Sequence, residues 1–340
     1  MTIKQLTLLL PLLCASVAMA QYQDYSQMGK TPAELRFIDD PLKIELKEPS
    51  WFWHNPKKDT AEEQLVYAMQ LEQAGKWEKA IEAYDDLVHE WHASPEALSA
   101  QLSIARLNSI HNQTQAAYDA DIYLLAHFAG RFELDPVLRD AVAQADLLVS
   151  QDLGRTFRHN SGAALRANYE RIIHFAPRWP RVPELLLKIA DIYMKSEEFD
   201  SAITVCDRII IDWGSSIDID EILTTYCTAC RKQANIWQND TGRLKFLEDL
   251  IGGVRTFAPT HAHVATFAEW QKEIYLMRQK RSYEKAVFYD NPQAYSIEAA
   301  INAYKTFLRE FPEAPQKDVV AARIAELSLS HNAPQKDSNP

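Results

Sequence analysis

Ala80-Ile-Glu-Ala-Tyr84-Asp-Asp-Leu87 recurs along the chain as Ala202-Ile-Thr-Val-Cys206-Asp-Arg-Ile209 and Ala300-Ile-Asn-Ala-Tyr304-Lys-Thr-Phe307. Each phrase opens on a small residue. An aromatic or medium-sized residue follows four places on, and an aliphatic or aromatic one three after that. Spacings of three and four place all three on one helix face. Repetition at a period of roughly 34 to 40 residues marks a helical solenoid. Solenoids bind other chains far more often than they perform chemistry.

Helix signals surround these phrases. Asp59 or Thr60 is an N-cap, with Glu62 and Glu63 in the first turn. Leu65, Ala68 and Leu71 form a stripe that Gly75 ends. A second helix from Trp77 carries Ala80, Tyr84, Leu87 and Trp91, and Ser94-Pro95-Glu96 opens a third. The next unit uses Ala105, then Ala117, Leu124 and Phe128, with Asp121 where the first unit has Tyr84. A helix is expected over 136–151, and a polar loop and internal boundary over 152–161. The phrase resumes at Leu165, Tyr169 and Ile172. Leu186, Ile189, Ala190 and Tyr193 are followed by Ala202, Cys206 and Ile209. Further helices are expected over 220–232, around Leu244, Leu247 and Leu250, and over 261–290, 297–311 and 316–329.

The N-terminus reads as a secretory signal peptide over residues 1–20: Lys4, an apolar run from Leu6 to Leu13, and Ala18-Met19-Ala20 before Gln21. That run is too short for a permanent membrane anchor, and no later stretch approaches the length needed. Cys14 follows Leu13, with Pro11 three before it, and is read as part of the signal, with a lipid-bearing Cys14 as the alternative. Residues 21–59 hold Pro32, Pro41, Pro49 and Pro56 and form an extended segment. Within it Trp51-Phe52-Trp53 either caps the first helix pair or anchors a partner. Residues 331–340 are read as a disordered tail.

Composition narrows the function. The formal charge is −11, one unit more negative once Lys4 leaves with the signal. That excludes the electrostatic footprint of a nucleic-acid binder and a polybasic membrane tether. Nine glycines in 340 residues argue against phosphate-cradling loops. Cys206, Cys227 and Cys230 are too few for a disulfide framework. Cys227 and Cys230 have thioredoxin-like spacing inside a helix. They are packing residues, an oxidised pair or a redox couple, in descending order of fit.

The chain resembles the tetratricopeptide superfamily over residues 60 to 330. Its C-terminal stretch looks like the BamD-like (YfiO) family of outer-membrane assembly factors. Ala299-Ala-Ile-Asn-Ala-Tyr304-Lys-Thr-Phe-Leu-Arg-Glu-Phe-Pro312 and Ala321-Ala-Arg-Ile-Ala-Glu-Leu327 carry that likeness, with Tyr283, Phe288 and Tyr289 before them. The resemblance implies an all-α, tetratricopeptide-like helical-hairpin solenoid, with repeats over 60–151 and BamD-like repeats over 162–330. It implies a non-enzymatic periplasmic scaffold at the outer membrane. The expected partners are proteins: barrel-insertase components and unfolded outer-membrane proteins. The alternative is a generic periplasmic adaptor for cell-wall or secretion machinery. Family members are normally lipoproteins, whereas no lipid-attachment cysteine is evident here.

No catalytic motif, metal site or cofactor is expected. The sequence lacks Gly-x-Ser-x-Gly, Gly-x-x-x-x-Gly-Lys and His-Glu-x-x-His. His261 and His263 are read as a surface pair at a helix end, and His89 and His92 as a solvated C-terminal turn. Asp85-Asp86 and Glu197-Glu198 are read as solvated charge. If first helices line the concave surface, partner-binding positions are Glu62, Leu65, Met69, Glu72, Arg106, Glu184, Leu187, Asp191 and Met194.

Overall fold

The computed structural model describes residues 55–153, 161–214, 218–291, 293 and 296–332. The expected signal peptide, the 21–54 part of the extended segment with Trp51-Phe52-Trp53, the 154–160 part of the polar loop and the 333–340 part of the tail lie outside them. The described residues are all-α and contain no strand. They form two helical-repeat units, 55–197 and 198–332.

In the first unit, α1 (Ala61–Gln73) and α2 (Trp77–Glu90) form a hairpin, as do α3 (Pro95–Ile110) and α4 (Thr114–His127). Thr60 caps α1 by accepting from the Glu63 N–H, and Ser94 caps α3 by accepting from Ala97. α5 (Leu134–Leu153), α6 (Ser161–Phe175) and α7 (Val182–Lys195) continue the stack, each packed on its predecessor. Small residues let the paired helices close: Ala68, Ala80, Ala97, Ala100 and Ala117 are all sealed from solvent.

A buried glutamine repeats with the hairpins. The Gln64 amide donates to the Ala83 carbonyl at 2.9 Å, and the Gln101 amide donates to the Ala120 carbonyl at 3.1 Å. Each joins a first helix to its second 19 residues on. A buried amide that finds a partner avoids a desolvation cost of about 1–3 kcal/mol.

Three helix ends share a geometry. Gly75 (φ 72°), Asn112 (φ 58°) and Glu197 (φ 61°) each follow the C-cap residue of α1, α3 and α7 in the left-handed region. Glycine adopts it freely and asparagine tolerates it, whereas glutamate does so at a cost.

The second unit comprises α8 (Phe199–Trp213), α9 (Asp220–Ile236), α10 (Thr241–Phe257), α11 (Val264–Tyr289), α12 (Ile297–Glu310) and α13 (Lys317–Asn332). Its C-terminal core gathers Ala286, Ala300, Ile301, Tyr304, Phe307, Phe311, Val320 and Leu327. Arg278 of α11 is buried over the Phe311 ring and pairs with Glu248 at 2.9 Å and Glu310 at 3.2 Å. Both carboxylates compensate a cation that would be costly to bury alone.

Contacts run across the 152–161 segment: the Tyr118 hydroxyl donates to the Asn168 carbonyl at 2.7 Å, joining α4 to α6. His261 is buried rather than a surface residue. Its Nδ1 accepts from the His263 N–H, so its Nε2–H donates to the Asp220 carbonyl, pinning the start of α9.

Cys206, Cys227 and Cys230 are fully buried thiols outside any disulfide. Burial pushes the Cys227 thiol up to about 12 and Cys230 well above its ordinary value. Thiols held this firmly protonated are poor nucleophiles and pack as small apolar residues.

The strained turn yields a test. Glu197→Gly is expected to raise stability by roughly 0.5–1 kcal/mol in urea denaturation. Asn112→Gly is expected to change it less. A loss of stability in Glu197→Gly would show that the glutamate holds the turn by other means.

Candidate partner-binding face

Within the first unit, α1, α3, α5 and α7 form one layer, and α2, α4 and α6 the other. Side chains bridge neighbours in the first layer. Arg106 of α3 reaches Glu72 of α1 at 2.6 Å, Gln144 of α5 donates to Ser109 of α3 at 3.0 Å, and Lys188 of α7 reaches Asp146 of α5 at 2.7 Å. These contacts set the register of the layer.

Two of these ion pairs belong to a recurring relay. The Tyr84 hydroxyl of α2 donates to Glu72 at 2.9 Å, and Arg106 clamps that carboxylate from the next first-layer helix. The Tyr169 hydroxyl of α6 donates to Asp146 at 2.7 Å, and Lys188 supplies the cation. In the second unit the Tyr304 hydroxyl of α12 donates to Asp290 at 3.1 Å. Arg323 of α13 grips the same carboxylate through two nitrogens at 2.7 and 3.0 Å. Burial, then the bonded carboxylate, pushes Tyr84 and Tyr304 up to about 12. Arg323 holds the Asp290 carboxyl below its usual range.

The large apolar side chains exposed in the first unit are Val66, Met69, Leu102, Ile110, Leu134 and Leu147. Among the described residues, all belong to α1, α3 and α5, and none to α2, α4 or α6. A depression of about 660 Å³ beside α1 is lined by Lys57, Lys58, Glu62, Val66, Tyr67 and Gln70, among others.

Glu62, Met69, Arg106, Glu184 and Asp191 lie exposed on this layer, and Leu187 and Met194 are half-buried there. The structure joins Arg106 to Glu72, and Glu184 to Arg181 and Lys188. Leu65 is half-buried, and neighbouring Val66 presents more surface. Sequence reasoning missed Val66, Leu102, Ile110 and the whole contribution of α5. Leu102 and Ile110 lie four residues either side of Arg106, so the helical period around that residue was a signal for them.

His89 and His92 are not a solvated turn. They surround Tyr123 with His127, and His92 packs on Phe128 at 4.8 Å. Burial, then the neighbouring His92 and His89, lowers the His127 pKa. Among the described residues, no group of three or more His, Cys, Asp or Glu side chains is placed to hold a metal ion. No described helix is long and apolar enough to cross a membrane.

This geometry defines an all-α protein built of stacked helical hairpins. No family model matches the chain, and no curated protein matches it. Among solved structures it is similar to a tetratricopeptide repeat protein from Parabacteroides merdae. The identity is 13%, with 79% of this chain and 98% of that chain covered, and a TM-score of 0.30. PilW, a widely conserved type IV pilus biogenesis factor, gives 13% identity, 78% and 99% coverage and a TM-score of 0.25. Likenesses this faint carry no argument, and the fold rests on the helix packing itself.

The relay and its gap at Asp121 can each be probed by substitution. Tyr304→Phe removes one hydroxyl bond and is expected to cost about 0.5–1.5 kcal/mol of unfolding free energy. Arg323→Ala strips Asp290 of its cation and is expected to cost more; equal losses would show that the relay is not centred on the carboxylate. Asp121 is buried, and desolvation, then Asp140, pushes its pKa from 3.8 to about 8. A raised carboxyl stabilises below its unfolded value and loses that contribution as pH rises through its folded value. Asp121→Asn is therefore expected to gain on the wild type between about pH 4 and pH 8, by on the order of 1 kcal/mol or more at the upper end. Chemical denaturation across that window checks it, and a constant difference would refute it.

Proposed function

We propose that the protein is a non-enzymatic, protein-binding scaffold whose docking face is the layer formed by α1, α3, α5 and α7. The observation that carries this is the segregation of exposed large apolar side chains to α1, α3 and α5. Exposed apolar side chains gathered on one face are what a partner surface requires. Residues that merely dissolve the protein would not be sorted by helix layer.

The setting we propose is the periplasm, peripheral to the outer membrane, in assembly of outer-membrane β-barrel proteins. The order of charge, apolar run and small residues over 1–20 supports export. The BamD-like phrase from Ala299 to Pro312 supports the assembly role. Barrel-insertase components and unfolded barrel precursors are the proposed partners.

A crosslinked pull-down of tagged protein from envelope membranes tests this, with an Ile110→Asp, Leu147→Asp variant alongside. Insertase enriched by the wild type and lost in the variant is the expected result. Cell-wall or secretion proteins without insertase would sink the assembly role and leave the scaffold. Captured proteins that ignore the double substitution would remove this face as the docking site.

A further inference from the structure

The first-layer helices of the 55–197 unit carry an unequal charge. α1, α3, α5 and α7 together hold ten carboxylate residues against four bases. Three of those bases are engaged: Arg106 with Glu72, Arg139 with Asp135, and Lys188 with Asp146 and Glu184. Lys195, the last residue of α7, is the remaining one. Glu62 shares its depression with Lys57 and Lys58, and among the described residues neither it nor Asp191 lies in an ion pair.

The bridges between helices place the exposed apolar groups in two bands. Met69 and Leu102 lie about one turn before Glu72 and Arg106, so they share a level on α1 and α3. Ile110 adjoins Ser109, which meets Gln144, and Leu147 adjoins Asp146, which meets Lys188. Ile110, Leu147 and Leu187 therefore share a second level across α3, α5 and α7. Leu102 and Ile110 are eight residues apart, or roughly 12 Å along the helix. A partner helix lying along the layer presents apolar side chains at i and i+7 or i+8 at that same pitch. Glu62 lies about two turns before the first band on α1, and Asp191 about one turn beyond the second on α7.

We infer that this face takes a basic amphipathic helix, a partner segment with one apolar stripe flanked by Lys or Arg. The inference rests on the docking face proposed above and adds the chemistry of its occupant. Arg106 and Lys188 cannot meet an acidic partner without breaking ties between repeats. The open carboxylates gain from a basic one and repel an acidic one.

Fluorescence anisotropy on the full chain tests this with two labelled helical peptides of about five turns. They share one leucine stripe and carry either Lys or Glu around it. The Lys peptide is expected to bind at least about tenfold tighter, less so at high salt. Ile110→Asp with Leu147→Asp should abolish its binding. Glu62→Lys with Asp191→Lys should remove or reverse the preference. All four positions are exposed, except that Leu147 is only about half so, and matching thermal melts establish that each variant folds. A Glu peptide binding as well or better, yet still lost in Ile110→Asp with Leu147→Asp, would overturn the basic partner and leave the face standing. Binding of either peptide that ignores the apolar substitutions would overturn the inference and the docking face together.

Discussion

A helical hairpin cannot bury its apolar face alone, so everything in this protein depends on how one hairpin is fastened to the next. The fastening is a carboxylate shared between a tyrosine of one helix and a base on the helix that follows it. Tyr84, Glu72 and Arg106 make one such relay, Tyr169, Asp146 and Lys188 another, and Tyr304, Asp290 and Arg323 a third. The tyrosine ring fills the core and its hydroxyl reaches the layer boundary, where a carboxylate can still be partly wet. A charged acceptor makes a stronger bond than a neutral one, and the cation offsets the desolvation of the acid. Apolar packing alone would tolerate sliding of one helix along its neighbour. A bond from an aromatic of defined length to a fixed carboxylate does not.

The repeating phrase made the second-layer helices legible, because packing demands a small residue, a bulky one and an aliphatic at fixed helical spacing. The relay was hidden, because its acceptor sits 12 residues before Tyr84, 14 before Tyr304 and 23 before Tyr169. A side chain anchored on a separate helix leaves no fixed period. Gln64 and Gln101 do repeat at a fixed spacing, but they are polar residues in the core only because a carbonyl of the partner helix awaits each, which composition does not announce. Turns were legible at Gly75 and not at Glu197, because glutamate carries no preference for a left-handed backbone.

The candidate face was legible in outline. Counting from small residues placed Glu62, Met69, Arg106, Glu184 and Asp191 on exposed surface of alternate helices. It could not distinguish a residue open to a partner from one already engaged. Arg106 is a member of a relay, so its charge is directed at Glu72 rather than outward. Exposed Val66, Leu102, Ile110 and Leu147 were passed over because, in a linear reading, an apolar residue on a helix is assigned to the core by default.

Asp121 marks the hairpin in which the relay is broken. It stands at the position of Tyr84 in the next hairpin, too short to reach a carboxylate across the layer and itself acidic. Burial, then Asp140, pushes its pKa up to about 8, toward the neutral form. The hairpin closes regardless, because Gln101 bonds Ala120 beside it and Tyr118 bonds Asn168 on α6. The amide bond also occurs in the first hairpin, so the added fastening here is the Tyr118 hydroxyl bond between α4 and α6. The first-layer surface of α3 near Ile110 is left without a tyrosine-bonded carboxylate. That is where the exposed apolar surface is greatest: Ile110 is 61% exposed, the highest of the large apolar side chains in this unit. A hairpin fastened from behind leaves its front open to another chain.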